Sequence, residues 1–210
     1  MAFRFVVTGA GRCETAWMAQ ALSHAGVPCG TGQVLNNEPD PVWPEHLRAD
    51  SSWLAATHMD QIDVPVVLLV RHPMVAVRDL SEAGFFAEHG RTNNPGHRPL
   101  TAAFPAVYEH VTVRDQALQA WVSLTRAALG RAELVVRVEQ LDANLFGRIL
   151  GWAGADPGRA SQVLAGNWVC DQHEAVFEPD WDLHSLVLRR QARELAATLG
   201  YPELGGQSGV

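Results

Sequence analysis

Residues 3–22 read FRFVVTGAGRCETAWMAQAL. An apolar run, Phe5-Val6-Val7, ends in the stretch Thr8-Gly9-Ala10-Gly11-Arg12-Cys13-Glu14-Thr15. The period then changes: Trp17, Met18, Ala21, Leu22 and Ala25 fall on one side of a 3.6-residue helix. A buried strand therefore feeds a glycine-bearing turn, and the turn opens a helix. That order points backbone N–H groups and the positive end of the helix dipole into one concavity, which suits a phosphate or sulfate. A strand–turn–helix whose glycines serve only the turn carries the same signature, so the loop alone leaves both readings open.

The rest of the chain repeats the alternation. Residues 26–30 form a short strand between breakers, and residues 31–50, with several prolines and two adjacent asparagines, form a loop. Ser51 to Thr57 (SSWLAAT) is expected as a buried strand. Val64 to Val70 (VPVVLLV) is apolar on both faces and belongs at the sheet centre. Arg71-His72-Pro73 ends it, and Pro73 fits the first turn of a helix carrying Met74, Val75, Val77 and Leu80. Residues 84–111, rich in Gly, Pro, Asn and His, are expected as a long binding loop. Helix returns over Val113 to Leu129, strand over Glu133 to Val138, and helices over about 142–153, 157–165 and 185–199. Residues 167–182 form a further irregular stretch. The fold class is α/β with an open parallel sheet covered on both faces, and the site lies beyond the carboxyl ends of its strands. One domain spans 1–203, with 204–210 a flexible tail.

Composition narrows the chemistry. The net charge is −7, so the basic footprint of a nucleic-acid-binding protein is missing from the sum. Three cysteines with no metal-ligand spacing suit a reducing compartment, and no metal is implied. The start of the chain goes directly into a strand pattern and no apolar run approaches a membrane span, so a cytoplasmic location is expected, with no membrane partner. All 16 basic residues are arginines. The nucleotide-hydrolysing P-loop needs a lysine at the terminal phosphates, so that chemistry is disfavoured. Arg12, the turn's cation, offers phosphate or sulfate a planar fork of donors.

The segment VTGAGRCETAWMAQALSHAGVPCG resembles the opening of bacterial and phage members of the sulfotransferase superfamily, and VVLLVRHPMVAVRDL resembles their second hallmark, a strand ending in Arg-x-Pro. ADSSWLAATHMD, VRDQALQAWVSLTRAA, LVVRVEQL and WDLHSLVLRRQARELAATLGY are similar to later segments in the same order. The resemblance implies a P-loop-like three-layer sandwich. It also implies transfer of a sulfuryl group from 3′-phosphoadenosine 5′-phosphosulfate (PAPS) to a hydroxyl or amine acceptor, a small molecule or a carbohydrate. Gly9, Ala10, Gly11, Arg12, Cys13, Glu14, Thr15 and Ala16 would surround the 5′-phosphosulfate. Arg71, with position 79, would hold the 3′-phosphate; a strand-end arginine paired with a carboxylate is the competing reading. Thr57-His58 is similar to a Thr-His pair in which the histidine takes the acceptor's proton, which makes His58 and Arg12 the catalytic candidates; a hydrogen-bonded strand-end histidine is the competing reading.

Four departures bear on this. Glu14 stands where the family turn has Gly, and Asp79 stands where the family has a Ser ligand to the 3′-phosphate. Each puts a carboxylate at a phosphate half-site, which is costly unless it turns away or pairs with an arginine. The His-Glu that follows the second strand in many relatives is Gly30-Thr31-Gly32-Gln33, with Glu38 and Asp40 further on; Ala56 replaces a family Lys. The readings are an active sulfotransferase, a non-catalytic relative that binds a nucleotide, metabolite or protein, and a small-molecule kinase disfavoured by the missing lysine. Acceptor choice would fall to residues 31–50, 84–111 and 167–182, the middle loop presenting His89, Arg91, Asn93, Asn94, His97 and Arg98.

Overall fold

A computed structural model of the chain describes residues 4–34, 42–87, 96–166 and 185–201. Five strands, β1 (Phe5–Gly9), β2 (Cys29–Gly30), β3 (Ala49–Ser51), β4 (Val66–Val70) and β5 (Ala132–Arg137), form one sheet in the order β2-β3-β1-β4-β5. Every pairing is parallel. β1 and β4 are buried along their whole length, as runs without polar alternation require. β5 alternates between inward and outward residues, as an edge strand does.

Seven helices accompany the sheet among the described residues: α1 (Thr15–His24), α2 (Pro73–Glu82), α3 (His97–Ala103), α4 (Val113–Leu129), α5 (Ala143–Trp152), α6 (Arg159–Ala165) and α7 (Leu186–Thr198). α4 packs on α2 and α7, while α6 packs on α1 and α5, so helices flank the sheet in two groups. Phe5, Leu68, Leu69, Trp121, Phe146 and Tyr201 sit in one contiguous apolar core. No described helix is long and apolar enough to cross a membrane.

Two elements differ from the sequence expectation. Residues 52–57 are not a strand: β3 stops at Ser51, and Trp53–His58 forms a 3₁₀ helix. Ser52 caps it, its Oγ accepting from Leu54 N at 3.2 Å, and the Ala55-Ala56 pair lacks the branching that favours a strand. The expected loop at 84–111 contains α3 and a 3₁₀ turn at Pro105–Glu109. His89, Arg91, Asn93 and Asn94, the 167–182 stretch, Glu38, Asp40 and the tail lie outside the described residues.

The strand order fixes where a ligand can sit. β1 connects through α1 to β2 at one edge, whereas β4 leads through α2 and α4 to β5 at the other. β1 and β4 are neighbours with diverging connections, so the crevice beyond their carboxyl ends is the topological switch point.

Candidate functional site

The turn after β1 is built from residues in unusual backbone states. Gly11, Arg12 and Glu14 have φ of 79°, 52° and 63°. Gly9 allows the close approach beneath it: a Cβ there would lie 2.7 Å from the Leu69 carbonyl of β4. Glu14 is the N-cap of α1 in the left-handed region, and its side chain caps nothing. A left-handed conformation costs a non-glycine residue about 1–2 kcal/mol. The backbone has thus kept a shape suited to glycine while the sequence supplies a carboxylate.

That carboxylate goes to Arg71. Arg71 follows β4, is buried, and its Nη1 donates to Glu14 Oε1 at 3.4 Å, to Asp79 Oδ2 at 3.1 Å and to the Arg12 carbonyl at 3.3 Å. Asp79, on α2, also accepts from Arg78 Nε at 3.2 Å and Nη2 at 3.0 Å. The carboxylates foreseen at the two phosphate half-sites therefore meet on one guanidinium, and each has an arginine partner.

A cavity of about 510 Å³ opens over this network. Its floor is Ala10, Gly11, Arg12, Glu14, Thr15 and Ala16, with Arg71 and Asp79 alongside. Thr15 and Ala16 begin α1, and first-turn N–H groups have no partner within a helix. Arg12 is exposed and its guanidinium makes no ion pair among the described residues. The rest of the lining is apolar and includes Trp53, Phe85, Phe86, Leu80 and Leu124. Trp53 meets Phe85 edge-on at 5.4 Å. His97 stacks on Phe85 at 4.1 Å; its Nε2 contacts the Phe85 carbonyl and its Nδ1 the Tyr108 hydroxyl. A carbonyl can only accept, so Nε2 carries the proton. His97, read from sequence as a donor on a solvated loop, is instead buried support for the aromatic wall; Arg98 is exposed.

The other predicted residues divide. Cys13 and Gly9 do not line the cavity: the Cys13 side chain is fully buried beneath the turn, and burial pushes the thiol up to about 12. Such a thiol is inert at neutral pH. His58 is not at a strand end but closes the 3₁₀ helix after β3, with Nδ1 2.7 Å from Thr57 Oγ and 3.3 Å from Leu54 O. It does not line the cavity; Trp53, at the other end of that helix, does.

Sequence reasoning missed two supports. Asp50 on β3 is fully buried and accepts from the N–H groups of Gln33 at 2.9 Å and Val34 at 3.4 Å, fixing the loop after β2. Burial raises its carboxyl above the usual range, partly offset by these amides. Glu139, just after β5, accepts from His72 N at 2.6 Å and from the Tyr201 hydroxyl at 2.9 Å. It ties the chain after α7 to the residue adjoining Arg71. The Ala-Asp-Ser alternation around Asp50 was the available signal; nothing local marks Glu139.

No protein-family model matches the chain, and no curated protein matches it.

Proposed function

We propose that the cavity is the donor site of a sulfotransferase-type protein with a P-loop-like fold. It takes a nucleoside 5′-phosphosulfate at the β1–α1 turn, and the reaction class is transfer of a sulfuryl group to a hydroxyl or amine acceptor. The observation that carries this reading is the convergence, at the switch point, of Ala10, Gly11 and Arg12 of the turn, the start of α1 and Arg71 on one cavity. Backbone donors and Arg12, which makes no ion pair among the described residues, suit the 5′ end, and catalysis there would rest on positioning and electrostatics. Trp53 and Phe85 offer an aromatic surface to a base.

PAPS, the donor that the resemblance implies, fits only in part. The 5′ half finds Arg12 and the turn; the 3′ half finds an arginine already holding two carboxylates. A second reading, a relative that binds a nucleotide without turnover, is favoured by the position of His58 outside the cavity lining.

Calorimetric titration with adenosine 5′-phosphosulfate tests the reading. Micromolar binding is expected, weakened about 10- to 100-fold in Arg12→Ala, the value of a charge-assisted hydrogen-bonding partner. No heat at millimolar ligand would sink it. Transfer of labelled sulfate to an acceptor mixture separates the active reading from the non-catalytic one.

A further inference from the structure

Among the described residues, the charges lining the cavity cancel: Arg12 and Arg71 against Glu14 and Asp79. They are not spread evenly. Arg12 has no carboxylate partner among the described residues, whereas Arg71 is bracketed by both acids within 3.4 Å. Arg78 pairs with Asp79 at 3.0 Å and is not among the residues lining the cavity. The site thus has one end built for an anion and another end built of acceptors. A phosphate dianion set against Arg71 would lie within a few ångströms of two carboxylates, and like charges at that range in a partly buried site repel strongly. A hydroxyl in the same place would donate to Asp79 or Glu14, which as carboxylates accept only.

We propose, resting on the donor-site reading above, that the pocket selects a nucleoside 5′-phosphosulfate or 5′-phosphate with a free 3′-hydroxyl and selects against the 3′-phosphorylated form. Glu14 and Asp79 are the specificity-determining residues. Glu14 does this from a left-handed position that a glycine would occupy without strain, and Asp79 does it through the ion pair it shares with Arg71. The two carboxylates take the place of the missing phosphate on Arg71, so the pocket suits a ligand whose anionic groups all lie at its 5′ end.

The test is competition on the wild-type protein between adenosine 5′-monophosphate and adenosine 3′,5′-bisphosphate, followed by calorimetry. The monophosphate is expected to bind at least ~10-fold tighter, and the order to reverse in Glu14→Gly/Asp79→Ser. A wild type that prefers the bisphosphate overturns this inference and leaves the donor-site reading standing. A wild type that binds neither overturns both. The wild-type comparison decides the matter even where the double variant fails to fold; Glu14→Gln alone, with its folding checked by thermal melting, should narrow the preference.

Discussion

Replacing Arg71 by Met removes one guanidinium and keeps most of the side chain's apolar volume. Arg71 has only 7% of its side-chain surface exposed and serves at least three acceptors among the described residues. Deleting one partner of a buried ion pair costs about 3–5 kcal/mol, because the other charge is left uncompensated. Two features reduce that figure here. Asp79 retains Arg78 at 3.0 Å, and Glu14, 23% exposed, can turn part of its carboxylate to water. About 2–3 kcal/mol is the expected loss, equivalent to a fall in Tm of roughly 4–12 °C for a domain of this size. Urea and thermal unfolding measure it. Adding Glu14→Gln and Asp79→Asn to Arg71→Met should return about 1 kcal/mol or more, since neutral amides lack the uncompensated charge. A loss below about 1 kcal/mol, or no recovery in the triple variant, would refute the claim that Arg71 is the charge centre of this network.

Gly30→Ala should destabilise by about 1–3 kcal/mol, because the new Cβ would lie 2.5 Å from Asp50 Oδ1 and 2.8 Å from Leu47 Cδ1; unchanged unfolding curves would show that the β2–β3 edge is looser than described. Asp50 supplies a pH dependence: its folded-state carboxyl is raised by burial, so its contribution is fullest below the ordinary carboxylate value and declines as pH rises through the higher folded value. Unfolding free energies measured from about pH 3.5 upward should show wild type losing ground against Asp50→Asn, and a flat or opposite trend would contradict this. In native protein at pH 8 the Cys13 peptide should remain unlabelled by iodoacetamide and should label in urea; native labelling at the unfolded rate would contradict its burial.

What could be read from sequence follows local pattern. The β1 turn, β4, Arg71 and the long helices were visible because strong periodicity and continuous apolar runs coincide with the elements they encode. The 3₁₀ helix at Trp53–His58 was not, since its few alanines and one serine cap compete on nearly equal terms with strand. His58 was misplaced with it. His97 was hidden by its neighbours: a Gly- and Pro-rich setting reads as solvated loop, yet its burial comes from Phe85 and Tyr108, residues 12 and 11 positions away. Glu14 and Asp79 were recognisable as charges out of place. Only the fold could bring them to the same Nη1, 57 and 8 residues from Arg71.

The central claim is that the crevice beyond the carboxyl ends of β1 and β4, where their connections diverge, holds the phosphate end of a nucleotide. Amide chemical-shift mapping during titration with adenosine 5′-phosphosulfate tests it most directly. The largest shifts are predicted at Ala10 to Ala16, with smaller ones at Arg71 and the Trp53 indole. Shifts confined to other surfaces, or none at millimolar ligand, would contradict it.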